Sequence, residues 1–99
     1  MFALVVRLKA IKGEEEAIRS LIRETAQKVR RNEKGTLIYD MHYKAGDSTE
    51  IMLYERYRDR NAWEAIHMSQ PYVQELLAEL QRHIEGRPEI EEYEVVESL

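Results

Sequence analysis

Apolar side chains recur along this 99-residue chain with two different periods, and each switch of period marks an element boundary. Phe2, Leu4, Val6 and Leu8 share one parity, while Ala3, Val5 and Ile11 take the other beside Arg7 and Lys9. Residues 2–11 are therefore predicted to be a strand. Gly13 breaks that alternation, and Ile18, Leu21, Ile22, Thr25 and Val29 follow at i, i+3, i+4, i+7 and i+11, the spacing of one helix face. Glu14, Glu15 and Glu16 at its start and Lys28, Arg30 and Arg31 at its end suit the helix dipole.

Two strands are predicted next, over 36–44 and 50–57, joined through Ala45-Gly46-Asp47-Ser48 as a hairpin. Asp59 can cap a short helix containing Ala62, Trp63, Ala65 and Ile66, with Trp63 and Ile66 on its core side. Ser69 can cap a second helix, where Pro71 is tolerated in the first turn because no intrahelical donor is needed there. Val73, Leu76, Leu77, Leu80 and Ile84 repeat the helical stripe, and Gly86 and Pro88 are expected to stop it. A last strand, 90–97, alternates Ile90 and Val96 with Tyr93 and Val95.

The resulting order, βαββαβ, is the split βαβ arrangement of a ferredoxin-like α+β fold with an antiparallel sheet, built as a single domain over residues 1–99. Its two helical regions can cover one face of the sheet. Strands 36–44 and 50–57 nevertheless carry apolar or aromatic residues at both parities, so the other face needs a cover too. Pairing with a second copy, sheet on sheet, is the economical expectation.

Composition narrows the chemistry. A formal net charge of -4 argues against a partner held by its phosphate backbone, so no nucleic acid is expected. With no cysteine, disulfides, thiolate nucleophiles and cysteine-bound metals are excluded. No apolar run approaches the roughly 20 residues that span a bilayer, and the N-terminal stretch is interrupted by Arg7 and Lys9 without the marks of a signal peptide. No membrane partner and a cytoplasmic location are the expectation.

His67 ends the short helix, where it can act as a proton acceptor near neutral pH or simply complement the helix C-terminus. His42 in a strand and His83 beside an amphipathic helix read as solvent-facing or structural, and the three histidines lack metal-ligand spacing. Glu55 shares parity with Ile51, Leu53 and Tyr57, so it must be paired or hold its proton unusually tightly. Arg56, Arg58 or a partner-chain residue could supply the pair. Tyr39, Tyr43, Tyr54, Tyr57, Trp63 and Tyr72 form an aromatic set that either fills the core and a dimer interface or stacks on a flat substrate. Trp63 and Tyr72, which bracket His67, are the candidates for pocket lining, with Tyr54 in a positioning role. Asn61 is a candidate polar orienter or a solvent-facing first-turn residue.

Glu33-Lys34-Gly35 with Tyr39, then Tyr54-Glu55-Arg56-Tyr57, Asn61-Ala62, His67 and Ser69-Gln70-Pro71, together resemble the antibiotic biosynthesis monooxygenase domain. The resemblance runs from about Phe2 to Val96. It implies a dimeric α+β barrel, a homodimer, and cofactor-independent oxidation of a small phenolic, quinol or anthrone-like aromatic by molecular oxygen, with no metal, haem or flavin. On that reading His67 is the catalytic base, and Tyr54, Glu55, Asn61, Trp63 and Tyr72 contact or position substrate. Haem-degrading members use an Asn, a Trp and a His at positions that align with Val6, Ile66 and Leu76 here, none of which can take those parts. Two other readings stay open: an isomerase that enolises a small, possibly phosphorylated carbonyl compound with Arg56 or Arg58 near the pocket, and a dimeric ligand-binding domain without turnover.

Overall fold

A computed structural model describes residues 1–99. The elements are β1 (Phe2–Ala10), α1 (Glu15–Asn32), β2 (Thr36–Lys44), β3 (Asp47–Tyr57), a short π-helical segment (Ala62–His67), α2 (Pro71–Leu80) and β4 (Ile84–Glu94). The strands form one antiparallel sheet in the order β2-β3-β1-β4. The ferredoxin-like α+β order read from the sequence is the order observed.

The alternation of β1 sends Phe2, Leu4, Val6 and Leu8 to the helix-covered face, where all four are buried. Register carries the same face across the sheet: Leu8 lies opposite Ile51, Val6 opposite Leu53 and Leu4 opposite Glu55. Ile18 and Ile22 of α1 and Leu76 and Leu80 of α2 close over this surface. Each such large side chain removed from water contributes about 1.5–3 kcal/mol. The same parity that builds the core therefore carries Glu55 into it.

Four local expectations are corrected. The helical stripe ends at Leu80; Ile84 is buried as the first residue of β4, opposite Ala10. Gly86 and Pro88 lie inside β4, where the register against β1 shifts between Arg7 and Lys9. Gly86 has φ +66°, a bulge conformation that glycine adopts freely. Pro88 is tolerated because β4 is an edge strand. The β2–β3 turn is only Ala45-Gly46, with Gly46 at φ +84°, so β3 begins at Asp47 rather than at residue 50. Gln70, not Ser69, occupies the N-cap of α2, and the Ser69 hydroxyl instead donates to the Ile66 carbonyl at 2.9 Å.

Candidate active site

The peptide after β3 turns at Asp59, whose Oδ1 accepts the Ala62 N–H at 2.8 Å, and a helical turn begins. From Ala62 the turn widens: the Met68 N–H donates to the Trp63 carbonyl five residues back, at 3.0 Å. Such π-turns carry one extra residue and re-aim the side chains that follow. Trp63 and His67 face inward, and Ile66 is displaced to the surface at 39% exposure. This corrects the expected helical face, which had Ile66 on the core side: His67, only 2% exposed, takes the inward position instead. The Trp63 ring stacks on Phe2 with centroids 5.3 Å apart, and the Arg60 guanidinium lies 5.5 Å from the Trp63 centroid.

His67 is held by a residue from the end of α1, just before β2. Its Nδ1 lies 2.8 Å from Glu33 Oε1, and Glu33 is itself buried where α1 ends. The same Oε1 accepts the Thr36 hydroxyl at 2.7 Å, while Oε2 accepts the hydroxyl of Tyr72. Two hydroxyl donors and an imidazole thus converge on one carboxylate, which as a carboxylate can only accept. The Nδ1 must then carry the hydrogen that is donated, leaving the Nε2 lone pair free.

Nε2 faces Glu55, with Oε1 3.9 Å away, too far for a hydrogen bond. Glu55 instead accepts the Tyr57 hydroxyl at 2.5 Å. Burial pushes the Glu55 carboxyl above its ordinary range, against the opposing pull of Tyr57 and His67. Burial is also the first cause raising Tyr39, Tyr57 and Tyr72 above the usual phenol range, so all three hold their protons; Tyr57 donates to Glu55 and Tyr72 to Glu33. Tyr39 and Tyr57 flank the imidazole, with centroids 5.5 and 5.4 Å from His67.

A cavity of about 100 Å³ lies between the sheet and the helical segments, bounded by Leu53, Tyr39, Glu55, Trp63, His67, Met68 and the α2 side chains Val73, Leu76 and Leu77. Its polar groups gather at the His67–Glu55 end, and no Lys or Arg lines it. Larger depressions exist, such as one of about 420 Å³ between α1 and β2, but they are open surface clefts, and neither His67 nor Glu55 lines them. No group of three or more His, Asp or Glu side chains is arranged to hold a metal ion.

The fold brings Glu55, Trp63 and His67 to the cavity and ties Tyr72 to it through Glu33. It does not bring Tyr54 or Asn61 there. Tyr54 has the opposite strand parity, and its hydroxyl accepts the Arg56 Nε–H at 3.1 Å; Asn61 is exposed beside the helical turn. Glu55 is not paired with arginine: Arg56 reaches Tyr54 and Ser98, and Arg58 reaches Asp59. His42 is exposed, with Nδ1 3.2 Å from the Met52 carbonyl, and His83 lies 3.3 Å from Glu14, both outside the cavity. Glu33 was missed as a site residue, although it opens the Glu33-Lys34-Gly35 motif. A carboxylate just past the cationic end of a helix reads as solvent-facing, and only the turn into β2 buries it.

The family profile described as antibiotic biosynthesis monooxygenase matches residues 1–79. Among solved structures, a Caulobacter crescentus protein named for that family superposes with a TM-score of 0.90 at 24% identity, covering 97% of this chain and 90% of its own. Family-named proteins from Nitrosomonas europaea and Deinococcus radiodurans each give 0.87, at 21% and 22% identity, covering 98% and 100% of this chain and 100% and 96% of theirs. At such identities these likenesses establish the fold. No curated protein matches the sequence.

Proposed function

We infer the chemistry of this cavity from its lineage: the chain belongs to the antibiotic biosynthesis monooxygenase family. Membership supports a general monooxygenase-type function, and residues 1–99 are read as one unit of that kind. Within it we propose oxidation of a single-ring phenol or quinol by molecular oxygen without a bound cofactor. The observation that carries this is His67: a buried imidazole with Nδ1 occupied by Glu33 and Nε2 free beside an apolar cavity.

The chemistry follows from that free lone pair. A ligand hydroxyl placed in the 3.9 Å gap between Nε2 and Glu55 can give its proton to Nε2. The resulting anion is electron-rich and passes an electron to oxygen directly; recombination forms a carbon–oxygen bond, and loss of water leaves the oxygenated ring. For a quinol, QH2 + O2 gives the hydroxyquinone and H2O. The substrate supplies all four electrons, one oxygen atom enters the ring and the other leaves as water with two hydrogens. Apolar walls keep the developing anion from bulk water, so the fixed Tyr39 and Glu55 groups act on it strongly.

Size supports one ring rather than an anthrone's three, because cavities of the order of ~150 Å³ take a single benzene. The absence of Lys or Arg from the lining weighs against a phosphorylated carbonyl substrate, which needs a cation to hold it. A homodimer remains part of this reading. Val5, Met52 and Tyr54 lie half-buried on the sheet face that carries no helix, and a second sheet would cover them. No helix is long and apolar enough to cross a membrane.

The test is oxygen uptake by chelator-treated protein with a panel of substituted hydroquinones under ¹⁸O2. Saturable uptake with one labelled atom in the product supports the proposal. Uptake no faster than autoxidation across the panel refutes it.

A further inference from the structure

We propose that Glu33 is the positioning residue of this site: it fixes the tautomer of His67 and balances the charge that His67 acquires on taking a proton. Tyr72 and Thr36 in turn hold the Glu33 carboxylate in place. The inference rests on the reading of His67 as a base, and its geometry is independent of the substrate.

Glu33 stands between His67 and two hydroxyl donors. Oε1 meets His67 Nδ1 at 2.8 Å and the Thr36 hydroxyl at 2.7 Å, and Oε2 takes the Tyr72 hydroxyl. The His67 and Glu33 side chains are 3% and 1% exposed, so water does not compete for these bonds. An ionised carboxylate only accepts, so the hydrogen between it and Nδ1 belongs to the imidazole. That leaves Nε2 as the sole basic position of the ring, on the side of Glu55 and the cavity. Without Glu33, a neutral imidazole buried here has no reason to keep its proton on Nδ1. Once protonated, it is a buried cation at unfavourable distance from any other full negative charge except Glu55, which burial inclines to stay neutral.

The placement is built by four pieces of chain. The end of α1 supplies Glu33, which is its extended C-cap and whose own N–H donates to the Val29 carbonyl. The start of β2 supplies Thr36, and the first turn of α2 supplies Tyr72. The π-turn after β3 supplies His67. Glu33 touches the reacting end of the cavity only through His67, so it positions and does not itself exchange a proton with the ligand.

The experiment records ¹⁵N spectra of the His67 ring in the intact protein, wild type and Glu33→Gln, together with kcat and KM on any quinol that turns over. Wild type is expected to carry its proton on Nδ1. In Glu33→Gln the amide can present its NH2 to Nδ1, and the proton should move to Nε2. kcat then falls by roughly 10²-fold or more with KM within a few-fold, as expected when a base is left in the wrong tautomer. Tyr72→Phe removes one competing donor without touching the cavity lining, so the His67 Nδ1–H resonance should move downfield as its bond to Glu33 strengthens. Wild-type protonation on Nε2, an unchanged kcat in Glu33→Gln, or an unmoved resonance in Tyr72→Phe each overturns the proposal. If no quinol turns over, the functional reading fails while the spectra still decide the tautomer.

Discussion

Gly35 is the glycine at which a single added methyl group meets its surroundings most tightly. Its φ is not positive, unlike those of Gly13, Gly46 and Gly86, so alanine there pays no conformational penalty and only space matters. An added Cβ meets the Ala62 Cβ at 2.7 Å and lies 3.8 Å from the Ala62 Cα. Carbon atoms pack comfortably at about 3.5–4.0 Å, so about 1 Å must be found. Neither side yields cheaply. Ala62 is 1% exposed and belongs to the core, and the Arg58 N–H donates to the Gly35 carbonyl at 2.8 Å, tying the two segments together. Overpacking of this kind costs about 1–3 kcal/mol, which in a domain of this size lowers Tm by roughly 5–20 °C. Ala62 also begins the π-turn that delivers His67, and a displacement of about 1 Å there can lower activity ~10²-fold. The assay is a double-mutant cycle by thermal denaturation. Ala62→Gly alone costs about 1–2 kcal/mol in helix propensity and lost burial. It also removes the facing methyl, so Gly35→Ala on that background should cost ~1 kcal/mol or more less than on wild type. Costs that add to within about 0.5 kcal/mol would show that the contact does not set the position of the turn.

Three further outcomes are expected. Because burial raises the folded-state pKa of Glu55 above its unfolded value, the stability it contributes is fully present below the unfolded pKa and is lost as pH rises through the folded one. Glu55→Gln should therefore gain on wild type in chemical denaturation as pH climbs from about 4 to about 8; parallel stability curves would contradict the assignment. Trp63 is the only tryptophan and lines the cavity, so a bound single-ring phenol should change its fluorescence saturably, and an unresponsive spectrum at millimolar ligand would place binding elsewhere. Sedimentation at micromolar concentration should give a species of twice 11.8 kDa, with monomer alone ruling out the sheet-to-sheet dimer.

What the sequence revealed and what it hid have physical causes. Alternation in β1 and β3 and the stripe of α1 are long, strongly periodic signals, and they were legible because each buries one whole face. Glu55 was legible for the same reason: its parity alone put it among Ile51, Leu53 and Tyr57. The end of α2 was not, because Ile84 falls four residues after Leu80 and satisfies the helical template while its burial comes from the sheet. The displacement of Ile66 to the surface was hidden because a π-turn adds a residue to the helical period, and nothing in Ala62–His67 announces it. Glu33 was hidden because its partners, Thr36, His67 and Tyr72, come from three other elements, a juxtaposition made only by the tertiary fold.

The central claim is that His67 removes a proton from a phenolic ligand inside this cavity. The direct measurement is anaerobic mixing of protein with a single-ring hydroquinone, following the absorption of the bound ring with oxygen excluded. Wild type should generate the red-shifted spectrum of the ring anion at a pH where the free compound is neutral, and His67→Ala should bind the same compound without that band. An anion band of equal intensity in His67→Ala, or none in wild type at saturation, would contradict the account.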